Sequence, residues 1–217
     1  MYTPYTRKYT LYTLLMRRLD RDSVLRAGLA LADESGLDAV TLRRLAGRIG
    51  VTPMALYRHV AGKGGLFDGM ADLLYAELDV PEPDGDWWPQ LAALAHSVRR
   101  VLLAHPTTVP LFSRPLAGPH SVRLGEALLG TLRRAGFPPA EAEELHEQLS
   151  EMVFALVRPE LRLGPKRRRG RDAAFQRGIE LLHAGLLARL EHHSARPDLA
   201  MARTDAGEQP GDTASDA

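Results

Sequence analysis

The chain has 217 residues, 45% of them hydrophobic and 25% charged, the balance of a globular protein with room for one large domain or two small ones. Its formal charge is +1, so no global field draws it to nucleic acid or membrane, and any nucleic-acid surface has to be local and shaped. It has no cysteine, which excludes disulfides, thiolate nucleophiles and Cys-bearing zinc sites and fits a cytoplasmic protein; no apolar run approaches the ~20 residues of a membrane-spanning helix.

Residues 1–18 read as a flexible basic extension. The apolar stretch 11–16 is interrupted by Tyr12 and Thr13, and no small-residue cleavage site follows, which argues against a signal peptide; Met16 offers an alternative start. Beyond it, alternating β-branched runs are missing and apolar residues recur at three- and four-residue spacing, so the chain is predicted to be all-helical. Asp22 is placed to cap a first helix whose inner face is Val24, Ala27, Gly28 and Leu31 and which ends at Ser35-Gly36. Thr41 caps a short helix stopped by Gly50, and Thr52-Pro53 supplies a cap followed by proline at the first helical position. A fourth helix is predicted over 63–78. The stretch "DVPEPDGD" at 79–86 then breaks the pattern and marks the candidate domain boundary. Further helices are predicted over 86–105, 120–135, 139–157 and 172–193, with a bent piece through Pro115. The expected organisation is an extension (1–18), a helix-turn-helix domain (19–80), a helical body (86–193) and a disordered tail (194–217) rich in Ala, Asp, Gly, Pro and Ser.

The main functional signal is "TLRRLAGRIGVTPMALYRH" at 41–59. Ala46 permits close approach of two short helices, Gly50 suits the positive φ that ends the first, and Val51 and Leu56 plug the corner, while Leu42, Leu45 and Ile49 face the first helix. This is a helix-turn-helix pattern whose second helix presents groups able to hydrogen-bond base edges, touch a thymine methyl and pair with phosphate.

In context, residues 19–78 closely resemble the N-terminal domain of TetR-family transcriptional regulators, carried by Gly36, Thr41, Leu45-Ala46, Gly50-Val51, Leu56-Tyr57, His59 and Lys63. The resemblance implies that Arg43, Tyr57, His59 and Lys63 hold the DNA backbone, that Thr52, Met54, Ala55 and Arg58 face base edges, and that Thr41 belongs to the same DNA-binding set. Gly64-Gly65 stands where the family usually carries an acidic pair, which predicts a looser start to the fourth helix.

The second half resembles the tetracycline-repressor type of C-terminal domain, through "DWWPQLAALAHSVRRVLLAHP", "LRRAGFPPAEA" and "FQRGIELLHAGLLARL". That implies a homodimer formed by the helices at 139–157 and 172–192, bound to palindromic double-stranded DNA. Gly178 and Gly185, seven apart, with Ile179, Leu182, Leu186 and Leu190, are the expected interface, with packing inside a single chain as the alternative use of the same stripe. It also implies a small-molecule cavity, with candidate walls Leu94, Val98, Leu102, Phe112, Leu128, Leu132, Leu149, Met152, Val153 and Leu156. Leu94 and Val98 stand where the tetracycline-binding members carry polar and aromatic groups, so the expected effector is small and largely apolar, with no metal and no cofactor.

The expected function is a ligand-responsive regulator, a repressor released from its operator by effector. A ligand-blind architectural DNA binder is the alternative, and a helical-bundle enzyme a remote one. No Gly-x-Ser-x-Gly, phosphate-loop or dinucleotide pattern occurs, and His146 with Glu143 and His183 with Glu180 do not complete a di-metal bundle set. The basic run "PKRRRGRD" at 165–172 lies between the two dimerisation helices and reads as a solvated loop.

Overall fold

The computed structural model describes residues 19–82, 84–114, 118–163 and 170–194, and every regular element among them is helical. The expectations for 1–18, for the tail beyond 194 and for most of the basic run lie outside these residues. In chain order the elements are α1 (Arg21–Ser35), a 3-10 turn (Leu37–Ala39), α2 (Leu42–Ile49), α3 (Pro53–Leu56) and α4 (Gly62–Ala76). Then follow α5 (Trp87–Ala104), a 3-10 segment (Pro106–Ser113), α6 (Pro119–Ala135), α7 (Pro139–Leu161) and α8 (Asp172–Ser194). No helix among the described residues is long and apolar enough to cross a membrane.

Local signals account for most of the boundaries. Thr41 Oγ1 accepts from the Arg44 amide at 3.1 Å and Thr52 Oγ1 from the Ala55 amide at 3.3 Å, and Gly50 ends α2 at φ 73°. The larger differences from expectation fall in three helices. Asp20, not Asp22, caps α1: its carboxylate accepts from the Ser23 amide at 2.8 Å while Ser23 Oγ accepts from the Asp20 amide at 3.2 Å. That reciprocal box satisfies two backbone donors at once, and Asp22 instead pairs with Arg26 one turn on, at 2.7 Å. α4 occupies 62–76 rather than 63–78, and runs through Gly64 and Gly65 without a break. α7 continues past 157 and through Pro159 to Leu161. Packing holds that last turn: Val157 is fully buried, and the nearly buried Glu160 accepts from Arg99 of α5 at 3.0 and 2.8 Å.

α1 and α4 cross closely because two glycines allow it. A Cβ on Gly28 would meet Met70 Sδ at 2.9 Å, and one on Gly69 would meet Leu25 at 2.5 Å. The 79–86 stretch separates α4 from α5 along the chain, yet the apolar core continues from Val24 through Leu74 to Leu128 and Leu186. The connection is strapped down as well, since the Asp79 amide donates to Ser97 Oγ at 2.9 Å. α1 is tied to the body by His105 Nδ1 and Asp33 Oδ2, 2.8 Å apart, and by Thr107 Oγ1 donating to the Ala32 carbonyl at 2.9 Å. α4 is tied by Asp72, whose Oδ1 accepts from the His120 and Ser121 amides at the start of α6, both at 3.0 Å.

Candidate nucleic-acid interface and interior cavity

α2 and α3 form the predicted helix-turn-helix, with Leu45, Ala46 and Leu56 as its buried hinge. Arg48 makes a bidentate pair with Glu34 (2.5 and 2.6 Å) and Arg44 donates to Ser35 at 2.9 Å, so both fasten α2 to α1. Arg43 and Arg58 are exposed and have no ion-pair partner among the described residues. Met54 is 75% exposed and Tyr57 56%. Two large side chains facing solvent on α3 and its C-cap are an informative departure from ordinary burial. Thr41, Thr52 and Lys63 are exposed too, while Ala55 and His59 are half-buried. Lys63 Nζ lies over the Phe67 ring, 5.1 Å from its centre. The residues expected at DNA thus lie along 41–63, with Leu56 and Val60 anchoring the strip from below.

In the body a cavity of about 540 Å³ opens between α4, α5, α6, α7, α8 and the Pro106–Ser113 segment. Of the expected walls, Leu94, Val98, Phe112, Leu128, Leu149 and Val153 line it. Leu102 and Leu132 do not; both are fully buried in the packed core. Leu156 does not because it folds over Gly178, and Met152 does not because it sits on the outer side of α7, 45% exposed.

Sequence reasoning missed the aromatic lining, Tyr75, Trp88 and Phe154, and the polar lining on α7, His146, Glu147, Ser150 and Glu151. A signal was present, since His146, Ser150 and Phe154 recur every four residues on the same arc as Leu149 and Val153. Phe112 is edge-on to both Tyr75 and Phe154, at 5.2 and 5.5 Å. Burial pushes the Tyr75 hydroxyl up to about 12, and burial holds His146 below the ordinary imidazole value against the opposing pull of Glu147. Among the described residues no set of three His, Asp or Glu side chains gathers to hold a metal.

The expected dimer residues on α8 divide differently. Ile179, Leu182 and Leu186 line the cavity, Leu190 packs on the core, and Gly178 faces Leu156 of its own chain, where a Cβ would sit 2.9 Å from one methyl and nearer still to the other. These five therefore face the interior of their own chain. A Cβ on Gly185 would meet nothing within 4 Å, and beside Gly185 lie the exposed Leu181 (75%), Ala184 and Ala188. A side-chain period of 3.6 puts Leu181, Gly185 and Ala188 on the face of α8 opposite the cavity.

The family profile described as "Bacterial regulatory proteins, tetR family" matches residues 24–70, and that described as "Tetracyclin repressor-like, C-terminal domain" matches 80–175. The class A tetracycline repressor of transposon 1721 from Escherichia coli is 31% identical over 80% of this chain and 93% of its own length. An HTH-type transcriptional regulator of Saccharopolyspora erythraea is 33% identical over 65% of this chain, which spans 61% of that protein. Among solved structures, ActR of Streptomyces coelicolor in complex with actinorhodin superposes with a TM-score of 0.70 at 28% identity, over 79% of this chain and 97% of that one. BioQ with its double-stranded DNA operator superposes with a TM-score of 0.64 at 29% identity, over 79% and 99%. The helix-turn-helix head, the helical body and these likenesses over nearly the full length of several relatives place the chain in the TetR family of transcriptional regulators.

Proposed function

We propose that this regulator is a homodimeric repressor that leaves a palindromic operator when a small, mainly apolar effector fills the cavity. The observation that carries the reading is α4, one unbroken helix with Lys63 at its start, beside the exposed strip, and Tyr75 near its end, in the cavity wall. The two positions are about 18 Å apart along the axis. Arg114 strengthens the link, pairing with Asp68 of α4 at 2.6 Å from the far end of the Pro106–Ser113 segment. An effector that displaces Tyr75 or Phe112 therefore moves the same rigid element that carries Lys63. In a dimer a small rotation of each α4 takes the two heads out of step with successive major grooves, a population shift between operator-competent and released states.

Among the described residues Arg58 and Arg43 have no ion-pair partner; they suit a guanine edge and phosphate respectively, and Met54 and Ala55 supply apolar contact to a thymine methyl. The partner copy is assigned to the outer faces of α7 and α8, through Met152, Ala155, Leu181, Gly185 and Ala188, because these small and apolar side chains are exposed in a single chain. The test is a gel-shift titration on the DNA upstream of the gene at about 150 mM salt. A saturable, sequence-specific shift is expected. Arg58→Ala should relax preference at one base-pair position by about 1–3 kcal/mol, and Lys63→Ala should weaken all sequences alike. Equal loss of specific and non-specific binding in Arg58→Ala would reject the base-reading assignment.

A further inference from the structure

The cavity is apolar on most of its surface and acidic at one edge. Trp88 and Phe112 offer aromatic surface from two different elements. Glu147 and Glu151, one turn apart on α7, line the same cavity, and neither has an ion-pair partner among the described residues. Among the described residues the one arginine in the wall is Arg114, which is already paired with Asp68 at 2.6 Å. His146, also in the cavity wall, is held below the ordinary imidazole value by burial, so it brings no compensating charge at neutral pH. Both carboxylates are exposed at the cavity edge, so an anionic occupant is repelled there and a neutral one gains no charge pair. A cationic occupant reverses that sign and is also attracted by aromatic ring faces.

We infer that the effector is a planar aromatic cation, an amine-bearing polycycle whose rings lie against Trp88 and Phe112 and whose positive charge meets Glu147 and Glu151. This rests on the reading of the cavity as the effector site. It sharpens the expectation of a largely apolar effector, because the ring system meets the apolar walls while the charge is read by two residues that the sequence pattern leaves on the solvent side of α7.

Three tricyclic probes of nearly one shape separate charge from shape: 9-aminoacridine, cationic at neutral pH; acridine, neutral; and 9-anthracenecarboxylate, anionic. The only two tryptophans are Trp87 and Trp88, the second in the cavity wall, so quenching of intrinsic fluorescence reports filling, and isothermal titration supplies the affinities. In the wild-type protein 9-aminoacridine should bind about tenfold more tightly than acridine, with the anion weakest. Glu147→Gln/Glu151→Gln should bring 9-aminoacridine to within about threefold of acridine and leave acridine unchanged. Each single Gln variant provides the same comparison if the double variant melts early. Acridine binding as tightly as 9-aminoacridine, or a preference that survives both substitutions, overturns the cation assignment and leaves the cavity reading standing. Absence of saturable quenching by all three probes overturns both.

Discussion

Asp72 is where the reading head and the cavity wall share a single carboxylate. It belongs to α4, is nearly buried, and its Oδ1 accepts from the His120 and Ser121 amides in the first turn of α6 at 3.0 Å each. α6 has no cap of this kind from its own chain start, because Gly118 precedes it and has no side chain. Gly118 is also forced, since any Cβ there would run into the Asp72 carboxylate. Asp72→Ala leaves two helix-terminal donors without an acceptor in a site that water reaches poorly. Loss of a cap alone costs about 0.5–2 kcal/mol, and a hydrogen bond to a charged group contributes about 1.5–3 kcal/mol. Both bonds use one oxygen and removal relieves the desolvation of a buried carboxylate, so the two do not add. The expected loss is about 2–3 kcal/mol, or a fall of about 5–10 °C in melting temperature for a chain of this length. Asp72→Asn keeps an acceptor and should lose less than half as much. Urea denaturation gives the global figure, and amide exchange should accelerate locally over 119–123. If Asp72→Ala unfolds within about 0.5 kcal/mol of the wild type, the cap is not what holds α6 to α4.

The other predictions concern α7 and α8. Leu181→Glu should dissociate the dimer while leaving the chain folded, because that side chain is 75% exposed, whereas Leu182→Glu, facing the cavity, should lower stability; light scattering and circular dichroism distinguish the two outcomes. Gly178→Ala pushes a methyl onto Leu156 and should cost about 1 kcal/mol net, while Gly185→Ala, with open space, should stabilise an isolated chain by about 0.5–1 kcal/mol in urea titrations. His146 is depressed in the folded state, so its contribution to stability is present above the ordinary imidazole value and is lost as pH falls through the folded one. Wild-type stability should therefore drop more steeply than that of His146→Gln between about pH 7 and 5, read by denaturant midpoints at each pH.

Much of the reading head was legible from local signals. A threonine cap, a proline at the first helical position and a left-handed glycine are dictated within a few residues, so Thr41, Thr52, Pro53 and Gly50 behave as their neighbours demand. Where two local solutions competed, the sequence was ambiguous. Asp20 and Asp22 are both N-terminal acids, and only the reciprocal bond with Ser23 selects the first. The end of α7 was illegible for another reason: Pro159 argues for a stop, and the pairing of Glu160 with Arg99, distant in the chain, overrides it.

The same division runs through the site. The apolar period on α5, α7 and α8 identified inward-facing residues, but period alone does not say whether an inward residue meets another side chain, a cavity or a second copy. Leu102 and Leu94 are both buried leucines of α5, yet one is packed and the other lines the cavity. Ile179, Leu182 and Leu186 form an apolar stripe that the sequence left open between a partner and the chain's own interior, and the tertiary structure turns it toward the chain's own cavity, with Leu181 and Gly185 outside. The sequence by itself determined the helical class, the helix-turn-helix and the caps, because these follow from contacts within a few residues. Only the tertiary structure decided which stripe faces what, because that depends on where five helices and a 3-10 segment from distant parts of the chain leave space unfilled.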